Sequence, residues 1–276
     1  MGRVTDLPPP VADGTWHHGL IARYWAEFNE PEPEELAWYR LAVERFGQPA
    51  LDLGCGTGRL LLPLLAAGLD VDGVDVSADM LAHCEQRARR DGLDPGLWRQ
   101  AFHELDLRRR YRTVYICDSF GIGGDRANDL EALRRVHRHL EPGGALVLSV
   151  ELPYHDSSPA AWGRWLPGHR DDLPGTWPAT AERRRAADGD EFELAVRHIE
   201  LDPLGQRRVM EIRARLWRDD VLIAAEVGRL AESLYFVPEV RQMLVVAGFG
   251  DMAVEGRYNN RPATADDGTV VFIARR

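Results

Sequence analysis

The chain has 276 residues, 45% hydrophobic and 28% charged, with a formal net charge of −10 and a pI near 5.4. That composition excludes wholesale disorder, and the acidic balance argues against a surface built to hold nucleic acid or anionic membrane. All 34 basic residues are arginine, so a Walker phosphate loop, a kinase strand lysine and Schiff-base chemistry are excluded for want of an amine.

In chain order, the first fifteen residues read as a flexible lead with no apolar core of signal-peptide length. Leu20, Tyr24 and Phe28 then recur at helical spacing, and a second amphipathic helix starts near Glu34 and ends at Gly47, with Pro31 and Pro33 between the two. PALDLG suits a buried parallel strand, and RLLLPLLAAG suits a helix closed by glycine. LDVDGVDV is a second strand and SADMLAHCEQRARRDG a helix with Ser77 as N-cap. LWRQA and YRTVYICDSF are further strands, DLEALRRVHRHL a helix ended by Glu-Pro-Gly-Gly, and ALVLSVEL a fifth strand. Strands alternating with helices at this spacing predict βαβ units, hence an α/β doubly wound, mostly parallel (Rossmann-like) sheet.

Beyond it, PYHDSSPAAWGRWLPGHRDDLPGTWPAT predicts a long loop packed by its own aromatics. EFELAVRHIEL, QRRVMEIRARLW and VLIAAEVGRLA, joined by DPLG and RDD, predict an antiparallel meander. PEVRQMLVVAGF (helix), DMAVEGR and TVVFIARR (strands) complete the first sheet, so the meander is an insertion. The expected divisions are therefore 1–48, an N-terminal helical lid; 49–152, the parallel core; 153–233, the inserted loop and meander, either a substrate cover or a dimer surface; and 234–276, completion of the core. The runs Arg108–Arg110 and Arg183–Arg185 read as solvated loop and helix-end charge. Cys55, Cys84 and Cys117 are odd in number and widely spaced, which predicts free thiols, a reducing cytoplasm and no metal site. No run of ~18 apolar residues reads as a membrane span.

The chemistry concentrates in Asp52-Leu53-Gly54-Cys55-Gly56-Thr57-Gly58, between a predicted strand and a predicted helix. Glycines there admit positive φ and let the backbone approach a ligand, while the helix start offers free N–H groups. The spacing is GxGxG with an acid two residues ahead, not the GxGxxG of dinucleotide sites. Asp75 ends the second strand, where a carboxylate in such sheets accepts from ribose hydroxyls.

DLGCGTGR followed by VDVSADML, CDSFGIGG, LRRVHRHLEPGGALVL and a late LVVAGF resembles a class I S-adenosylmethionine-dependent methyltransferase of small-molecule type, in order from about Ala50 to the C-terminus apart from the meander. The resemblance implies a seven-stranded sheet with an antiparallel last strand and S-adenosylmethionine as cofactor across the C-terminal strand ends. It implies that Gly54, Cys55, Gly56 and Gly58 line the methionine part and that Asp52 holds its ammonium. Asp75 would take the ribose diol, with Val76 and Met80 against adenine. Gln100 and Phe102, after the third strand, are candidates for adenine recognition, Asp118 and Ser119 stand after the fourth strand, and Tyr24 belongs to the helix expected to close over the cofactor. The implied reaction is in-line transfer of a methyl group to N or O of a small molecule. Alignment and exclusion of water supply most of what that displacement needs. A general base matters when the nucleophile carries a proton; Asp118, Tyr154 and His155 are the candidates, the last two in the loop beyond the fifth strand. No nucleic acid or membrane partner is expected, and a homodimer through the free sheet edge is one use of the insertion. The same residues leave open a tRNA or protein acceptor and a non-catalytic cofactor-binding protein; a nicotinamide oxidoreductase is disfavoured by the glycine spacing.

Overall fold

The computed structural model describes residues 15–155 and 159–276; the expected flexible lead lies outside them apart from Thr15. Two units are distinguished. One draws on residues up to Asn29, on Ile122–Gly124 and on the stretch ending at Ser233; the other comprises Glu30–Gly121, Asp125 onward to the end of the described 155, and Leu234–Arg276. The helices and strands, in chain order, are α1 Gly19–Phe28, α2 Pro33–Phe46, β1 Ala50–Leu53, α3 Leu61–Ala66, β2 Val71–Asp75, α4 Ala78–Arg90, β3 Leu97–Arg99, β4 Tyr111–Ile116, α5 Arg126–His139 and β5 Leu140–Glu151. They continue as α6 Pro159–Gly163, β6 Arg183–Arg185, β7 Glu191–Asp202, β8 Arg207–Arg218, β9 Val221–Ser233, α7 Val237–Ala247, β10 Met252–Gly256 and β11 Thr269–Arg275.

The larger unit is built on a seven-stranded sheet in the order β10-β11-β5-β4-β1-β2-β3. Its neighbours pair in parallel except at β11, which is antiparallel to both β5 and β10. Strand side chains alternate between two buried faces. Leu51, Leu53, Val114 and Ile116 join Leu133 and Val136 of α5 and Val240 and Leu244 of α7. Ala50, Tyr115 and Val147 join Tyr39 and Val43 of α2, Leu61 and Leu64 of α3 and Cys84 of α4. Burial on both faces explains why these strands read as continuous apolar runs instead of alternating ones. The helices that cross between strands have local start and stop signals. The Ser77 hydroxyl accepts from Met80 N at 3.2 Å, Asp125 caps α5 through Ala127 N and Asn128 N, and Gly248 ends α7 in the left-handed conformation.

The smaller unit is a four-stranded antiparallel sheet, β6-β7-β8-β9. The hairpin turns are where the sequence signals them: Gln206, Asp219 and Asp220 all take positive φ, the twist-compatible choice for tight hairpins. Period-2 alternation sends Met210, Ile212 and Ala214 to one face, where Trp16, Leu20, Ile21 and Trp25 pack, while Phe192 and Leu216 receive Tyr24 and Phe28. α1 thus packs on the antiparallel sheet, whereas α2 packs on the parallel one; the two helices grouped together over 1–48 fall in different units. Arg183–Arg185, read from sequence as loop and helix-end charge, instead forms the edge strand β6. It pairs with Glu191–Glu193, and the Arg183 guanidinium lies 3.9 Å from the centroid of Trp217. Propensity gave no hint of this, because what holds the strand is cross-strand charge and cation–π stacking.

Candidate active site

At the end of β1 the chain turns through Gly54, Gly56 and Gly58, with φ of 92, 55 and 82°, and is held by Gly54 N and Cys55 N donating to Val74 O at 2.8 and 3.0 Å. A Cβ on Gly54 would lie 2.6 Å from Ser119 Oγ and 2.9 Å from Phe102 Cζ, and one on Gly58 2.7 Å from Cys84 Sγ. Conformation and crowding therefore both require glycine here. The Cys55 thiol faces away into the core, near Gly73 and Leu61, so its share in a ligand site is backbone only.

Asp75, half-buried at the end of β2, accepts from Gly56 N through Oδ2 at 2.9 Å and from Ser77 N through Oδ1 at 2.8 Å. A bond to each oxygen fixes the orientation of the carboxylate at the rim of the glycine loop. Val76 is exposed beside it, and the Met80 methyl reaches the Gly56 corner. Asp52 is 3% exposed, opposite Tyr115 in the strand register. Burial, reinforced by repulsion from Asp75, pushes its pKa up to about 7 against the opposing pull of Tyr115 and Arg59. A cation brought beside it would favour the charged form again.

Two hydroxyls at this corner, Ser119 Oγ and Thr57 Oγ1, are buried without a hydrogen-bond partner among the described residues. Groups of that kind carry a desolvation cost unless a ligand meets them. The Gln100 amide is spent locally: Oε1 accepts from Asp106 N at 2.9 Å and Nε2 donates to Asp106 O at 3.2 Å. Phe102 follows in a short 3-10 turn and packs against the core.

Asp118 leaves β4 with φ of 51°, uncommon for a residue with a side chain. Buried Ser149 on β5 holds it from both ends, accepting from Asp118 N at 2.8 Å and donating to Asp118 Oδ1 at 2.6 Å. The carboxylate is exposed. Next to it lies a set that sequence reasoning missed. Arg59 donates through Nη1 to Glu35 and through Nη2 to Cys117 Sγ at 3.2 Å. Tyr258 OH donates to Glu35 Oε1 at 3.1 Å, and the Cys117 thiol does so at 3.4 Å. Glu35, Cys117 and Asp118 offer atoms close enough for a metal, but a guanidinium already sits on two of the three. Only the arginine at the end of DLGCGTGR gave any sequence signal; Glu35, Tyr258 and Ser149 are 223, 141 and 31 positions from their partners, beyond local pattern.

The structure thus gathers Asp52, Gly54, Gly56, Asp75, Met80, Phe102 and Ser119 at the carboxyl ends of β1, β2 and β4, the usual ligand face of an open α/β sheet. Asp118 joins them at the end of β4. Tyr154 and His155 follow β5. Tyr154 packs near Phe236 at 6.4 Å between ring centroids, and His155 is 43% exposed, its Nδ1 3.4 Å from Thr269 Oγ1 and its Nε2 4.0 Å from Glu151. Tyr24 belongs to the antiparallel unit, between Phe28 and Phe192 at 4.8 and 6.1 Å.

Comparison with known proteins agrees with this geometry. The methyltransferase-domain family matches residues 50–144. A cypemycin N-terminal methyltransferase from Streptomyces sp is 31% identical over 252 residues, 87% of this chain and 88% of that protein. A putative methyltransferase from Geobacillus sp. (strain WCH70) is 28% identical over 48% of the chain, which spans little more than half, 56%, of that relative's length. The solved structure of an S-adenosylmethionine-dependent methyltransferase from Clostridium acetobutylicum superposes with a TM-score of 0.70 at 17% identity, over 92% of this chain and 96% of that one, a likeness of fold.

Proposed function

The chain belongs to the class I S-adenosylmethionine-dependent methyltransferases, and on that premise we propose that it methylates a nitrogen of a small acceptor by in-line displacement. The residues fit the cofactor: backbone bared by glycine, a carboxylate fixed at the end of β2, a buried acid whose charged form a cation would favour, and a hydroxyl at Ser119 unmet among the described residues. In this reading Asp75 takes the ribose diol, Asp52 the ammonium and Arg59 the carboxylate, with Gly54, Gly56 and Gly58 against the amino-acid part. Val76, Met80 and Phe102 flank adenine, while Gln100 shapes the turn up to Asp106.

When bound, S-adenosylmethionine supplies a sulfonium methyl electrophile, so the protein's task is alignment, exclusion of water and management of the acceptor's proton. The observation that carries the nitrogen assignment is Asp118, an exposed carboxylate locked by Ser149 beside the glycine loop. It anchors an acceptor ammonium by charge and receives its proton before attack. Tyr154 and His155 complete the acceptor side beyond β5. A peptide amino terminus is a second acceptor of the same chemistry, favoured by the relative aligned over 87% of the chain.

The test is calorimetry with S-adenosylmethionine, then turnover on matched amines and alcohols, read as S-adenosylhomocysteine released. Amine turnover that collapses in Asp118→Asn with cofactor affinity kept is expected; methylation confined to alcohols overturns the nitrogen assignment.

A further inference from the structure

Glu35 is an acid in the first turn of α2 whose side chain is only 2% exposed. Nothing in helix formation asks for that: an acid in a first turn serves the helix dipole from solvent, and a buried ion pair is a poor stabiliser because both charges lose their hydration. Its hydrogen bonds show what the burial achieves. Oε2 accepts from Arg59 Nη1, and Oε1 accepts from Tyr258 OH at 3.1 Å and from Cys117 Sγ at 3.4 Å. Four segments meet at one carboxylate: α2, the exit of the glycine loop, the end of β4, and the connection between β10 and β11. Aromatic rings wall the cluster, with Trp38 and Tyr39 at 5.8 and 5.6 Å from the Tyr258 ring. The guanidinium is thereby fixed through both Nη atoms, with Cys117 accepting the second at 3.2 Å.

Two other acids bear on Arg59. Asp118 follows Cys117 in the chain, with Oδ2 3.8 Å from the same sulfur that accepts from Arg59, and Asp52 feels the charge of the guanidinium. An arginine free to rotate would neutralise one of them, and the face would lose either its cation site or its acceptor anchor. Held in place, it leaves one positive and two negative groups side by side, complementary to the ammonium and carboxylate of an amino-acid tail.

We propose that Glu35, braced by Tyr258 and Cys117, is a positioning residue that aims Arg59 at the cofactor's carboxylate and keeps it off Asp118. The proposal rests on the cofactor reading above, and its test separates the two. The intact chain is titrated calorimetrically with S-adenosylmethionine, S-adenosylhomocysteine and decarboxylated S-adenosylmethionine, which keeps the nucleoside, the sulfonium and the amine but lacks the carboxylate. Glu35→Gln is expected to weaken the first two by about tenfold, the scale of one charge-assisted contact, and to leave the third within about twofold. Tyr258→Phe, which removes one hydroxyl and keeps the ring, is expected to act in the same direction by about threefold, and serves if Glu35→Gln does not fold. Equal losses for all three compounds in a folded variant mean a merely structural role and overturn the proposal, as does no loss for any. Wild-type chain that binds none of the three overturns the cofactor reading itself, and this proposal with it.

Discussion

The parallel and antiparallel units differ in what their charged side chains meet. On the face of the four-stranded sheet that carries Glu193 and Glu211, acids and arginines pair across the ladder, although Arg213 Nε is left buried without a partner among the described residues. Glu211 accepts from Arg197 at 2.6 and 2.9 Å and from Arg229 at 3.1 Å, and Arg215 reaches Glu193 at 3.1 Å. At the carboxyl ends of β1, β2 and β4, capacity is left over. Asp75 is held by backbone N–H groups at the mouth of the glycine loop, Ser119 Oγ lacks a partner among the described residues, and Asp52 is buried at an energetic cost. Unspent polar capacity beside strained backbone marks a site, whereas mutual satisfaction marks scaffolding.

The largest expected contrast lies between two glycines with φ of 92°. Gly54→Ala meets Ser119 and Phe102 inside contact distance, while Gly189→Ala has nothing within 4 Å. The first is expected to abolish measurable S-adenosylmethionine binding and to cost ~1–3 kcal/mol of stability; the second costs only about 1 kcal/mol and spares binding. Calorimetry and urea melts decide, and equal binding by both variants breaks the contrast.

Next come the carboxylates. Asp75→Ala should cost ~1–3 kcal/mol of cofactor affinity through lost charge-assisted hydrogen bonds. Glu211→Gln should lower only stability, because it removes the charge, and one of the two acceptor oxygens, that Arg197 and Arg229 share. Cofactor titration of both folded variants checks this; a loss of affinity in Glu211→Gln would merge the two roles.

Asp52 supplies a pH signature. Its folded value of about 7 lies above its ordinary 3.8, so the folded chain favours the protonated acid, and the stability this confers at low pH is lost as pH rises from about 4 to about 7. An ammonium favours the charged form. Binding should therefore release a proton below pH 7, and affinity should rise with pH to about 7 and then level off. Titration in buffers of different ionisation enthalpy measures the proton; Asp52→Asn should flatten the profile.

Smaller still, Ser149→Ala frees Asp118 and should raise the acceptor KM several-fold, ~1 kcal/mol for the lost hydrogen bonds, with cofactor affinity unchanged in the same preparation. Smallest of all, Arg185→Gln on the edge strand β6, where the arginine is 71% exposed, should move stability by no more than ~0.5 kcal/mol in a denaturant melt.

The glycine loop, the strand-end position of Asp75 and the succession of strands along the chain were legible because each is a local fact. φ preference, hydrophobic period and capping act within a few residues, so DLGCGTGR, VDVS and EPGG declare themselves in a linear reading. Asp118 was legible as a strand-end acid, but its grip by Ser149 was not. The same holds for β6, whose three arginines look like loop charge until Trp217 and Glu191–Glu193 are brought alongside.

By itself, then, the sequence determined the parallel sheet, the glycine corner after β1 and the carboxylate at the end of β2, since backbone torsion and side-chain periodicity are properties of neighbours in the chain. Only the tertiary structure decided that Glu35, Arg59, Cys117 and Tyr258 share one hydrogen-bonded cluster, and that α1 and α2 serve different sheets. Those outcomes depend on burial and charge pairing between segments as much as 223 positions apart, where desolvation, not local propensity, sets which polar groups must meet.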